Sequence, residues 1–174
     1  MFVRTVLVLG GCCLALAAQA AEVHFGRLAL EWPGGYRVLR PAGPVLLRGP
    51  QQQQVAASVY LAPADAPAGQ RAFAARSAQL VRSAAASHGR VVRTARSVLP
   101  DGSTLVAAAS QGRGAAKGYL LQFTVLAPSG HVGYVTVQGR GADAAGAFRR
   151  LLPAFQTVRW LQAPPAGGAM LASR

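Results

Sequence analysis

Between residues 90 and 138 the chain holds four extended segments joined two and two by turn sequences, and this run restricts the fold more than any other feature. Arg90 to Leu99 leads through Pro100-Asp101-Gly102-Ser103 into Thr104 to Ser110. Tyr119 to Leu126 leads through Ala127-Pro128-Ser129-Gly130 into Val132 to Gln138. Proline and glycine supply the dihedral angles of a tight reversal, so each pair is expected as an antiparallel hairpin. Tyr119, Leu121, Phe123 and Val125 share one face of their strand, and Leu120, Gln122, Thr124 and Leu126 share the other. The first face is expected to be buried and the second partly so.

Upstream, His24 to Glu31 reads as a first strand carrying Phe25, Leu28 and Leu30, before the turn Pro33-Gly34-Gly35. Tyr36 to Leu39 resumes extended chain, Pro41-Ala42-Gly43-Pro44 punctuates, and Val45 to Arg48 is a short strand. The tract Gln51 to Gln54 reads as a polar loop or strand start, because Val55, Ala57, Val59 and Leu61 alternate directly after it. Pro63 to Gly69 is a linker loop.

Two segments carry helical spacing. In Gln70 to His88 the residues Phe73, Ser77, Leu80, Val81, Ala84 and His88 define one face, with Arg71, Arg76 and Arg82 off it. Gly89 stands where a C-cap glycine belongs. A second helix is expected from Ala142 to about Leu152, ended or kinked by Pro153, with Phe148, Leu151, Leu152 and Phe155 anchoring it and Val158 and Trp160 closing the core.

The N-terminus has a separate meaning. Arg4, the apolar run Val6 to Ala18 and the Ala18-Gln19-Ala20 site follow one another as in a secretory signal peptide cut after Ala20. The apolar run is short for a transmembrane helix of about 20 residues. Leu9-Gly10-Gly11-Cys12 offers an alternative, a lipoprotein anchored at Cys12. With the ordinary cut, Cys12 and Cys13 leave with the signal, so neither thiol nor disulfide remains. A periplasmic or secreted protein without an integral membrane span is expected: residues 1–20 as signal, 21–161 as one domain, and 162–174 as a disordered tail.

Cleavage leaves 17 cations against the five acids Glu22, Glu31, Asp65, Asp101 and Asp143, a net charge of +12. Such a charge speaks to partners rather than to fold. Arg90, Arg93, Arg96, Arg113 and Lys117 fall close in chain order around the hairpins and form the candidate anion-binding patch. The expected partner is an envelope protein or an anionic envelope component. Nucleic acid is disfavoured, because export separates the chain from it and no aromatic residues interleave the cations.

Residues for catalysis or cofactor binding are not grouped. His24, His88 and His131 are far apart in the chain, no serine sits in a Gly-x-Ser-x-Gly elbow, and no two of the five acids are close. Gly112 to Gly118 lacks the Gly-Lys-Ser/Thr ending of a phosphate loop. Gly139-Arg140-Gly141-Ala142-Asp143-Ala144 matches a dinucleotide fingerprint formally, but it follows hairpin strands and reads as a turn into the helix. No catalytic residue, metal or cofactor is expected.

The signal peptide, the strand running into Trp32-Pro33-Gly34-Gly35-Tyr36, the first helix, the meander, and a last helix with Phe148-Arg149-Arg150-Leu151-Leu152 and Phe155 together resemble the PsbP-like group. That group includes a photosystem extrinsic subunit, a small Ran-binding protein and the DcrB-type envelope proteins of bacteria. The resemblance spans residues 23 to 160. It implies an α+β fold, an α/β/α sandwich whose central antiparallel sheet of about six or seven strands is flanked by two main helices. It also implies an accessory or binding role and brings no catalytic residues. The expected function is a non-enzymatic interaction module of the envelope. A carrier of a small apolar ligand or anionic glycolipid in a helix–sheet pocket is the alternative, and a hydrolase comes third.

Overall fold

The computed structural model describes residues 20–40, 45–61, 70–112, 118–162 and 171–172. Its centre is a seven-stranded sheet, built from β3 (Arg37–Arg40), β4 (Val45–Arg48), β5 (Gln54–Leu61), β6 (Gly89–Val98), β7 (Thr104–Gly112), β8 (Gly118–Leu126) and β9 (His131–Arg140). The order across it is β3-β4-β5-β9-β8-β7-β6, every neighbouring pair antiparallel. Both predicted hairpins are present as β6–β7 and β8–β9. Helix α1 (Gln70–His88) carries the chain from β5 to the far edge at β6, and the meander then returns strand by strand until β9 pairs with β5.

The two faces of the sheet are covered differently, as the alternation in β8 foretold. Leu105, Ala107, Ala109, Leu121, Phe123, Val125, Val135 and Val137 point into the main core with Ala147, Phe148 and Leu151 of α2 (Ala144–Leu151). On the opposite face Val106 and Ala108 meet Val81 and Ala85 of α1. Helix, sheet and helix form the three layers that the resemblance implied, in an α+β fold.

One layer is richer than the sequence suggested. Beside α2 lies a second, four-stranded sheet in the order β10-β2-β1-β11, made of β1 (Ala21–Phe25), β2 (Leu28–Trp32), β10 (Arg159–Trp160) and β11 (Leu171–Ala172). The single strand expected over His24 to Glu31 is thus a hairpin. Gly26 turns it at φ 62°, a left-handed conformation open to glycine and well matched to a two-residue hairpin turn. Leu171–Ala172 pair with Val23 and Glu22, so two residues of the tail expected to be disordered have a place in this sheet; residues 163–170 lie outside the described part.

Two expectations about α1 need correction. Leu80, placed on its inner face, is 60% exposed, and the buried stripe runs instead through Ser77, Val81 and Ala85 with Ala78 beside it. Small side chains opposite Ala108 let the helix settle with alanines inward, which turns Leu80 and His88 to solvent. Gly89 is no helix cap but the first residue of β6, paired with Gly112. The side chain of Phe73 lies outside the described residues.

The small sheet holds an ionic cluster with a definite pH signature. Glu22 accepts hydrogen bonds from His24 Nε2 at 2.7 Å and from Arg159 at 2.5 Å. These donors, His24 first, hold its carboxyl below the usual value of 4.5 against the opposing effect of burial. A carboxyl depressed on folding contributes its stabilisation in full above the unfolded value and loses it as pH falls through the lower folded one. Urea midpoints measured down the acid range are expected to fall less steeply for Glu22→Gln than for the parent chain; equal slopes would assign the acid sensitivity elsewhere.

Candidate functional site

Three segments that look like mere turns in the sequence meet at one end of the main core. They are the Trp32 to Tyr36 reversal leaving the small sheet, the 3-10 turn Pro50–Gln52 with Gln53 entering β5, and the stretch from Gly139 to Asp143 between β9 and α2. Together they bound a cleft of about 440 Å³ lined by Pro33, Tyr36, Gln53, Tyr119, Arg140 and Arg150, among others.

The cleft floor is a hydrogen-bonded chain of three side chains. Gln53 belongs to the polar glutamine tract, yet it is only 6% exposed. The preceding turn, with Gln52 at φ 60°, directs it inward, and its backbone N–H and carbonyl are tied to Pro50 and Gly49. Its Oε1 accepts from the Tyr36 hydroxyl, and its Nε2 donates to the Tyr119 oxygen. A buried amide needs partners at both ends, and the two phenols supply them. Tyr119 reaches this position because it crosses a glycine: a Cβ on Gly139 would stand 2.2 Å from the Tyr119 ring.

Burial pushes the Tyr36 phenol up to about 12, the nearby Tyr119 adding to the rise and the positive charge of Arg150 offsetting part of it. The indole of Trp32 packs edge-on against the Tyr36 ring at 5.5 Å. Its N–H lies close enough to ease the ionisation of Tyr36 slightly but makes no well-aligned hydrogen bond. Tyr36 therefore remains a neutral hydroxyl throughout the physiological range.

The rim is cationic. Asp143 N-caps α2, its Oδ1 accepting from the Gly146 N–H at 2.8 Å and its Oδ2 from Arg150 at 3.3 Å. The Gly146 N–H, followed by the arginines, holds the Asp143 carboxyl below its ordinary value. Gln111 of β7 fixes the turn beneath: its Nε2 donates to the carbonyls of Gly118 and Gly141, and its Oε1 accepts from the Ala144 N–H. Arg140 is exposed and has no acidic partner among the described residues.

The residues singled out in the sequence are distributed as follows. Arg90, Arg93 and Arg96 are exposed on β6, an edge strand. The register sets Arg90 and Arg93 opposite Gln111 and Ala109, on the face that carries α2, whereas Arg96 stands opposite Val106, on the α1 face. Arg113, Lys117 and Ala18 lie outside the described residues, and Ala20 is exposed immediately before β1. The glycine-rich stretch beginning at Gly139 turns from β9 into α2, and β9 lies between the antiparallel β5 and β8. Tyr36, Gln53, Tyr119, Arg140 and Arg150 were missed as a group. The available signal was a glutamine tract set between two tyrosine-bearing segments, too diffuse to find without the fold.

At the other end of the sheet a second cavity, of about 540 Å³, brings together Arg27, Asp101, Ser129, His131 and Trp160. A serine, a histidine and an acid invite comparison with a hydrolytic triad, but the hydrogen-bond directions run the other way. Arg27 can only donate, so His131 Nε2 accepts from it at 3.2 Å. Nδ1 then carries the imidazole hydrogen and donates to Ser129 Oγ at 3.0 Å, which withholds the base that a nucleophilic serine requires. Asp101 is engaged by the backbone N–H and hydroxyl of Ser103, and Ser103 Oγ in turn accepts from the Trp160 indole. Among the described residues no three metal-ligating side chains gather, and no helix is long and apolar enough to cross a membrane.

These features define a three-layer α+β domain with a basic, tyrosine-floored cleft beside its second helix. No family model matches the chain, and no curated protein is similar to it in sequence. Its fold resembles that of cyanobacterial PsbP (CyanoP) from Synechocystis sp. PCC 6803, whose solution structure aligns with a TM-score of 0.52 at 12% identity, over 87% of this chain and 98% of that one. At that identity the likeness is one of fold.

Proposed function

We propose that the chain is an exported accessory module of the bacterial cell envelope, a non-enzyme that engages an anionic envelope component or an acidic envelope protein. Its signal-like first twenty residues support export, and the PsbP-type fold is compatible with an accessory role. The observation that carries the reading is a set of exposed arginines on α2 and on the sheet face that carries it. Arg90 and Arg93 stand on that face of the edge strand, and Arg149 and Arg150 lie on α2 itself, all exposed. The acid among them, Asp143, is already tied to Arg150. Arg96 stands apart from this set, and Arg113 and Lys117, counted in the patch from the sequence, lie outside the described residues.

Capture of partners from an envelope extract by the mature chain tests the proposal. Exposed charges are screened beyond about 8 Å at physiological salt, so capture should be strong at low salt and weaken as salt rises. Reversing Arg90, Arg93 and Arg149 to glutamate should reduce it about tenfold or more, a substitution that leaves the cleft residues intact. Capture that resists both salt and charge reversal would overturn the proposal.

A second reading has its own observation. Beneath α1 a groove of about 350 Å³ has Ala78, Val81 and Val106 along it and Arg82 and Arg96 beside them. An apolar floor next to two guanidinium groups suits a carrier of an anionic glycolipid. Lipid co-purifying with the parent chain and lost from Arg82→Glu/Arg96→Glu would favour it over docking.

A further inference from the structure

We propose that the cleft between Tyr36, Gln53, Tyr119, Arg140 and Arg150 is a binding site for a small ring-shaped acid, a carboxylate carried on a sugar or an aromatic ring. This goes beyond the docking of the arginine face, because it concerns a free small molecule and depends on side chains below the rim.

The floor demands an acceptor. One amide joins two phenols, so its oxygen takes the hydrogen of one tyrosine while its NH₂ gives a hydrogen to the oxygen of the other. With the amide placed as described, Tyr119 keeps its own O–H unused. Turning the amide over leaves the O–H of Tyr36 unused instead. In either orientation one phenol retains a hydrogen to donate, and both tyrosines line the cleft. Tyr36, ionising only near 12, does not lose that hydrogen in physiological conditions.

The rim adds donors of the same kind. Among the described residues Arg140 has no ion-pair partner, and Arg150 keeps the guanidinium hydrogens not directed at Asp143. Asp143, the acid of the site, has both oxygens engaged by Gly146 and Arg150. A ligand must therefore bring lone pairs and negative charge, and a carboxylate matches an arginine fork best. The walls determine the rest of the ligand. Pro33 and Pro50 line the cleft together with Tyr36 and Tyr119, and rigid cyclic side chains of this kind favour a ring over an open chain. The volume, about 440 Å³, falls within the range of small-molecule pockets, roughly 300–1,000 Å³.

Calorimetric titration of the mature chain with glucuronate, benzoate and glucose tests this. Glucose keeps the sugar ring without the charge, while benzoate keeps the charge on a different ring. At least one acid is expected to bind about tenfold or more tightly than glucose, and the tighter of the two identifies the ring type. Arg140→Gln, at an exposed position, should weaken that acid about tenfold, the loss expected for a hydrogen bond to a charged group. Tyr36→Phe/Tyr119→Phe should weaken it too while leaving salt-dependent envelope capture unchanged, which separates this site from the docking face. If the double variant melts before it can be titrated, Arg140→Gln alone decides. Acids binding no better than glucose, or Arg140→Gln binding like the parent, would overturn the proposal.

Discussion

Phe155→Ala is expected to lower the unfolding free energy by about 3–5 kcal/mol, the range for truncating a buried aromatic side chain. Phe155 is fully buried in the 3-10 turn that follows α2. Its ring stacks on Phe123 of the large sheet at a centroid distance of 4.2 Å and meets Trp32 of the small sheet edge-on at 6.2 Å. Phe123 in turn stacks on Phe148 of α2 at 5.6 Å, and Trp32 meets Phe25 at 5.8 Å. The Phe155 ring thus joins the two sheets and Phe123 carries the stack on to α2, and aromatic pairs of this geometry each add about 0.5–1.5 kcal/mol beyond the area they bury.

Truncation would leave a void between layers that rigid strands on both sides cannot close. Urea unfolding followed by tryptophan fluorescence, which senses Trp32 and Trp160, and by circular dichroism measures the effect. A loss below about 1 kcal/mol would show that the two sheets are held together elsewhere.

Much of this layering was legible in the sequence, for identifiable reasons. The meander strands alternate cleanly, and their turns carry proline and glycine at the reversals, so Tyr119 to Leu126 announced both its faces. The second helix announced itself through Phe148, Leu151 and Phe155, all buried as expected. The β1–β2 hairpin was legible too, but through a signal easily passed over: Val23 and Phe25 are odd-numbered, while Leu28, Leu30 and Trp32 are even. All five are buried, and a strand that keeps one face cannot change parity without a turn between.

The cleft was hidden for a different reason. Its members are spread over more than a hundred residues, from Tyr36 to Arg150, and each has an adequate local explanation as turn, strand start or cap. Gln53 looks like one of four interchangeable polar residues until the 3-10 turn directs it inward. The face of α1 was misjudged because alanine contributes little to a hydrophobic pattern. The helix buries Val81 and Ala85 and exposes Leu80, against the ranking that side-chain size alone would give.

Gly89 shows how tightly α1 and β6 are joined, and Gly89→Ala is the second substitution with a large expected effect. No loop separates His88, the last residue of α1, from Gly89, the first of β6. A Cβ on Gly89 would stand 2.0 Å from the Gln111 carbonyl oxygen, 2.7 Å from its carbon and 2.9 Å from the Gly112 Cα. All three are backbone atoms, so no side chain can swing aside. The strand must move instead, breaking the Gly89–Gly112 and Arg90–Gln111 pairings and pulling on Gln111, whose side chain fixes the turn into α2.

Overpacking of this kind costs about 1–3 kcal/mol and occasionally more. A midpoint shift of that size is expected, together with faster amide exchange at Arg90 and Val91 than at Leu121 in the centre of the sheet. Because Gln111 links this edge to the cleft, Gly89→Ala should also weaken the binding of the acid, although the mutated residue lies outside the cleft lining. Unchanged exchange at Arg90 would mean that the edge strand accommodates a methyl group by a rigid shift of α1, and that the helix is held more loosely than its contacts with Val106 and Ala108 indicate.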